Sequence, residues 1–152
     1  MSDAKTPIDE SFSLSQACVV LVGTTHPGNI GATARAMKVM GLDRLRLVQP
    51  LRFPAAEATA RAAGADDILA DAEIFPTLAA ALADCSVIYG TTARSRHLDW
   101  PTLSPRQAAA DIAVIKQRVA VVFGRERTGL TNEELDLCQR PEEGRGGRGW
   151  SW

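Results

Sequence analysis

Val22-Gly-Thr-Thr-His-Pro-Gly-Asn-Ile-Gly-Ala-Thr-Ala-Arg-Ala-Met-Lys38 decides the fold. It continues the apolar run Ala17-Cys-Val-Val-Leu-Val22, crosses a Gly/Pro-punctuated loop and enters a segment in which Ile30, Ala34 and Met37 recur at helical spacing. The run lacks polar alternation, as a strand covered on both faces requires. Strand, glycine loop and helix N-terminus in that order form the repeating unit of a parallel α/β sheet, and the loop is where such sheets place ligands. Gly41 supplies the residue that ends the helix. The face opposite the apolar stripe carries Gly31, Arg35 and Lys38.

The same alternation extends along the chain. Arg44–Gln49 reads as a second strand, stopped by Pro50, and the alanine-rich 55–63 stretch as a helix. A short strand is expected around Ile68–Leu69, then a helix from about Thr77 to Ala83. Ser86-Val-Ile-Tyr-Gly90 is a buried strand running into the polar loop Thr91–Leu103. Ser104 caps a helix with Pro105 at its first position, reaching about Lys116. Val119–Phe123 is the last clear strand, and Thr131-Asn-Glu-Glu134 has the form of a capping box. The fold class is therefore α/β, a mainly parallel sheet with flanking helices and right-handed crossovers. Residues 17–138 form the domain, residues 1–16 read as a mobile tail, and the Gly/Arg-rich stretch 139–152 reads as disordered.

Composition narrows the function. The 152 residues suit one domain; 45% are hydrophobic, 23% are charged, and the net charge is −1. Any nucleic-acid surface is then a local patch rather than a global field. No apolar run approaches the roughly 20 residues of a membrane span, and the polar N-terminus lacks a signal-peptide core, which points to the cytoplasm. Cys18, Cys85 and Cys138 are an odd, widely spaced set that reads as buried free thiols. His26 and His97 fall in no ligand spacing, so no metal site is expected.

Three polar loops leave strands at one predicted sheet edge: Thr24–Asn29, Thr91–His97 and Gly124–Leu130. The first has the spacing of a phosphate loop, but Asn29-Ile30 stands where Lys-Ser/Thr is required, which removes an NTPase. Gly28-x-x-Gly31 is a weak fragment of a dinucleotide fingerprint. Taken singly, Asn29 is a helix cap, Arg35 a solvated arginine and Glu126 a surface charge; their shared edge is what favours function.

Two longer segments carry a family resemblance. Asn29-Ile-Gly-Ala-Thr-Ala-Arg35-Ala-Met-Lys38 resembles the first motif of the SpoU/TrmH family of RNA ribose 2′-O-methyltransferases, within the SPOUT (α/β-knot) superfamily. Phe123-Gly-Arg-Glu126-Arg-Thr-Gly-Leu130-Thr-Asn-Glu-Glu134 resembles the second. With Gly90-Thr-Thr-Ala-Arg-Ser-Arg96 and Trp100-Pro101, the pattern is most similar to the branch that methylates cytidine or uridine in the tRNA anticodon loop. The resemblance implies S-adenosyl-L-methionine as cofactor, tRNA as partner and a homodimer that completes the site. By position it implies Asn29, Arg35 and Glu126 as the catalytic and orienting set. Thr91, Thr92, Ala93 and Gly124 would line the cofactor, largely through backbone, and Lys38, Arg94, Arg96, His97 and Arg125 would follow the RNA backbone. The family's third motif, which closes the knot, has no counterpart after Arg140, so a truncation or reading-frame shift near Gln139 is expected. The rival is a non-catalytic RNA-binding module that keeps the basic loops.

Overall fold

A computed structural model describes residues 16–92, 102–103, 105–138 and 146–151. Along the chain run β1 (Ala17–Val22), α1 (Pro27–Met40), β2 (Arg44–Val48), α2 (Ala56–Ala62), α3 (Asp66–Ala70), β3 (Glu73–Phe75) and α4 (Leu78–Ala81). They are followed by β4 (Val87–Thr92), β5 (Thr102–Leu103), α5 (Pro105–Val114), β6 (Val119–Phe123), α6 (Asn132–Leu137) and β7 (Gly146–Ser151). The strands form one sheet in the order β3-β2-β1-β6-β4-β7-β5, every pair parallel. This is the expected α/β architecture, with β1 and β6 at its centre.

The pleat divides the core. Cys18, Val20 and Val22 point to one face, where Leu78, Leu82, Leu135 and Cys138 cover them from α4, the turn after it and α6. Val19 and Leu21 point to the other, under Ile30, Ala34 and Met37 of α1 and Ala58 and Ala62 of α2. Both sets of β1 side chains are thus buried, which is why the run shows no alternation. Helices α1 and α2 touch backbone to side chain at Gly31, where an added Cβ would run into the carbonyl of Ala58. Gly31, expected on the face opposite the apolar stripe, therefore belongs to a buried helix contact. Gly41 ends α1 at φ 80°, and the Thr131–Glu134 capping box is formed.

Two expectations are corrected. Ile68 and Leu69 lie in helix α3 rather than in a strand, and the strand comes five residues later as β3. Asp66 and Asp67 occupy the first turn of α3, where the helix dipole favours acids, and both apolar residues are buried against the α1 face of the sheet. The glycine-rich 146–151 stretch, expected to be disordered, forms β7, paired to β4 from Val87↔Gly146 to Thr92↔Ser151. The pairing is made by main-chain groups, so it leaves no apolar pattern in the sequence. Residues 1–15, 93–101, 104, 139–145 and 152 lie outside the described residues, and with them the Ser104 cap and the Trp100-Pro101 segment.

Candidate active site

The carboxyl ends of β1 and β6 are neighbours in the sheet, so the loops that leave them emerge side by side. From β1 the chain turns through Thr24–His26 and enters α1 with Pro27 at its first turn and His26 as N-cap, in extended geometry. Proline suits that position because the N–H it lacks has no partner within the helix. Asn29 is consequently inside the first turn, not the cap, and its side chain is free to point across the loop.

It points at Glu126. Asn29 Nδ2 donates to Glu126 Oε2 at 2.7 Å, and the backbone N–H of His26 donates to the same oxygen at 3.3 Å. Thr25 donates twice to Oε1, from its N–H and its hydroxyl, both at 3.1 Å. Partial burial pushes the Glu126 carboxyl up, but the Asn29 amide and then the Thr25 and His26 N–H groups outweigh it and hold it down at about 2. Sequence reasoning chose Asn29 and Glu126 and missed Thr25 and His26, whose contribution is mostly main-chain N–H and has no residue-type signal.

Glu126 is presented by a tight turn. Arg125 and Gly129 exchange backbone hydrogen bonds of 3.2 and 2.8 Å, and Arg127 adopts φ 79°, a conformation that strains a non-glycine residue. Gly124 approaches that turn so closely that a Cβ would overlap Gly129 and Leu130. Arg125 fixes the base of the turn by a two-pronged bond to Glu134, with Nη1–Oε1 and Nη2–Oε2 both 2.9 Å. Glu134 also accepts the Thr131 N–H at 2.8 Å. Although burial pushes its carboxyl up, the Arg125 guanidinium and the Thr131 N–H bring Glu134 below the usual carboxylate range.

The remaining candidates separate. Lys38 pairs with Asp67 at 2.9 Å, both side chains exposed. Lys38 and Arg125, which the resemblance assigns to the RNA backbone, each pair with a carboxylate within the chain. Arg35 is exposed on α1, about 120° around the helix axis from Asn29, and does not join the Glu126 cluster. Thr91 is buried and its hydroxyl donates to the Val122 carbonyl at 2.9 Å. Gly90 pairs with Val122, so Thr92 and Gly124 follow on adjacent strands at the same edge. Ala93, Arg94, Arg96 and His97 lie outside the described residues. Beside the cluster, a cavity of about 380 Å³ runs between α1 and the sheet, lined by Leu21, Met37, Val121 and Phe123 with Asn29, Thr33 and Glu126 as its polar wall. Among the described residues no group of His, Cys, Asp and Glu side chains could hold a metal ion, and no helix is long and apolar enough to cross a membrane.

This arrangement has relatives. The model of the SpoU rRNA Methylase family matches residues 16–142. The tRNA (cytidine/uridine/adenosine-2′-O-)-methyltransferase TrmJ of Pseudomonas aeruginosa (strain UCBPP-PA14) is 55% identical over 129 residues, 83% of this chain and 50% of that protein. The crystal structure of TrmJ from Z. mobilis ZM4 matches with a TM-score of 0.77 at 39% identity, over 89% of this chain and 57% of that one. The SpoU methyltransferase AviRb from Streptomyces viridochromogenes, in complex with the cofactor AdoMet, shares the fold: TM-score 0.65 at 18% identity, over 95% of this chain and 52% of that one. The chain spans about half the length of the curated relatives it matches.

Proposed function

The chain belongs to the SpoU rRNA Methylase family, and from that premise we propose that its carboxyl edge is the ribose-facing part of a 2′-O-methyltransferase site. The inferred substrate is tRNA, with cytidine or uridine of the anticodon loop as the methylated nucleoside. The inferred donor is S-adenosyl-L-methionine, and the inferred compartment is the cytoplasm, where tRNA is found. The Pseudomonas relative's name supports the tRNA substrate, and the AdoMet complex of AviRb supports the donor. The observation that carries the reading is the 2.7 Å hydrogen bond from Asn29 to Glu126. It joins the first and second motifs into one constellation at the edge where parallel sheets bind ligands.

Of the residues assigned to the donor, Thr91 has its hydroxyl bonded to Val122 and, with Thr92, pairs along β7, whereas Gly124 follows the end of β6 and is the one of the three outside a strand. The donor, when bound, supplies an electrophilic methyl group on sulfonium. The protein's task is to place the ribose hydroxyl in line, to let its proton leave and to stabilise the charge left on oxygen. Glu126 is a poor proton acceptor at neutral pH, since its carboxyl sits at about 2 and accepts four hydrogen bonds. We assign it the role of holding Asn29 and the Thr25–His26 loop in place.

A guanidinium group offers donors and no acceptor, so the role of Arg35 is to orient the nucleotide and stabilise negative charge, not to abstract a proton. Arg35 lies around α1 away from Asn29, and in our reading a second copy of the chain brings an Arg35 and a Glu126 to one ribose. A homodimer is therefore part of the proposal. The second reading is a non-catalytic RNA-binding module that keeps the same basic residues, of which Lys38 and Arg125 are in ion pairs.

Incubation of this chain with tRNA and tritiated S-adenosyl-L-methionine, followed by digestion to nucleosides, tests the reading. Label in 2′-O-methylcytidine or 2′-O-methyluridine is expected. Cofactor binding without label in either nucleoside would overturn the substrate assignment.

A further inference from the structure

Away from the site, toward the amino ends of the strands, three side chains form a cluster that methyl transfer does not use. Cys18 of β1 and Cys85, in the turn between α4 and β4, place their sulfurs 3.9 Å apart inside the core. Arg46 of β2 reaches over them, with Nη1 3.8 Å from the Cys85 sulfur. Its guanidinium is 6% exposed and is held by a two-pronged bond to Asp84, at 2.7 and 2.9 Å. Buried cysteines ordinarily pack as small apolar groups. A fixed cation, a carboxylate and a second thiol in contact are a different environment: Cys85 donates to Asp84 at 3.5 Å and its Cys18 partner pushes it up, while Cys18 is the thiol driven toward thiolate.

We propose that Cys18 and Cys85 are a reversible redox pair that closes to an intramolecular disulfide when the protein meets a peroxide. The inference stands on the thiol geometry and is independent of the methyltransferase reading. The balance is simple. One thiol takes an oxygen atom from the peroxide, giving a sulfenic acid and releasing an alcohol or, from hydrogen peroxide, water. The neighbouring sulfur attacks that sulfenic sulfur, its proton leaves with the hydroxyl group as a second water, and the S–S bond forms. Two thiols are oxidised and one peroxide is reduced.

The geometry allows closure. A disulfide bond is about 2.0 Å long, so the sulfurs must approach by about 1.9 Å. Cys18 lies in a central strand and is fixed by two neighbouring strands. Cys85 lies in a turn, preceded by Asp84 with its half-exposed side chain, and the proposal places the movement and the entry path on this side. The hydrogen bond from Cys85 lowers the Cys18 thiol, while Asp84 is held at about 2 by Arg46 and stays a fixed counter-ion. Cys138, at the end of α6 over the same face of the sheet, provides an internal control, because its sulfur donates to the Glu134 carbonyl.

The test oxidises the folded chain with hydrogen peroxide, blocks remaining thiols with N-ethylmaleimide in denaturant and maps the non-reduced digest by mass spectrometry. The expected result is a loss of two hydrogens, a Cys18–Cys85 linked peptide and a single adduct, on Cys138. Dithiothreitol should restore all three adducts. Cys138→Ser should leave the bridge intact, and Cys85→Ser should abolish it. In urea the same treatment should scatter the pairing among all three cysteines, which makes the selectivity a property of the fold. Three adducts after peroxide, a bridge that includes Cys138 or joins two chains, or equal scatter in the folded protein would each overturn the proposal.

Discussion

Asn29 and Glu126 are 97 residues apart in the chain and 2.7 Å apart in space. Asn29 lies in the first turn of α1 and Glu126 in the turn after β6, and the carboxylate collects donors from Thr25 and His26 as well. Glu126→Gln replaces one accepting oxygen with a donor that would face Asn29 or the Thr25 N–H. Methyl transfer to tRNA should fall by about 100-fold, the range for loss of a positioning interaction, while far-UV circular dichroism stays unchanged. Wild-type kcat/KM in this variant would remove Glu126 from the site.

The same carboxylate makes stability depend on pH. Its folded value of about 2 is below the ordinary 4.5, so its contribution is fully present above about pH 4.5 and is lost as pH falls through about 2. After allowance for partial exposure this amounts to about 1–2 kcal/mol. Urea titrations across that window should show wild type losing stability more steeply than Glu126→Gln. Parallel curves would mean that the four donors do not discriminate between the charged and neutral carboxyl.

Arg35 and Arg125 should behave as opposites. Arg35→Ala leaves an exposed helix position, so the melting temperature should hold while methylation is lost. Arg125→Ala releases Glu134 and loosens the turn that presents Glu126, which should cost about 1–3 kcal/mol of stability. If Arg125 instead contacted an RNA phosphate, its removal would lower the salt dependence of tRNA affinity by about one phosphate's worth. An unchanged slope with a lower melting temperature is the expected result.

Gly31→Ala tests the α1–α2 contact. The added methyl group meets the Ala58 carbonyl, which belongs to a helix backbone and cannot rotate away. A loss of about 2–3 kcal/mol is expected by thermal or urea denaturation. A neutral effect would show that the two helices separate without penalty.

The sequence was most readable where side chains alone determine the element. The unbroken apolar runs of β1 and β6 are strands because both of their faces are covered, and Thr131–Glu134 caps α6 by its own chemistry. Ile68–Leu69 was misread because two adjacent apolar residues carry no period, and only packing against the α1 face separates a helical turn from a strand. β7 escaped because glycine offers no pattern and its pairing with β4 is a main-chain property. At the site, the residue types of Asn29 and Glu126 were legible. The partners of Lys38, Arg125 and Glu126 were not, because Asp67, Glu134 and the Thr25–His26 amides become neighbours only after the chain folds.

The entry to α1 has one more consequence. A glycine loop leading into a helix N-terminus invites a search for a bound phosphate, since the amides there carry partial positive charge. In this protein that berth is already taken by the chain itself: the Glu126 carboxylate sits on the Thr25 and His26 amides in the manner of a resident anion. A free phosphate would meet the Glu126 carboxylate there instead of open amides. Inorganic phosphate or pyrophosphate should neither compete with RNA there nor raise the melting temperature, whereas removing the Glu126 charge should open the berth to both.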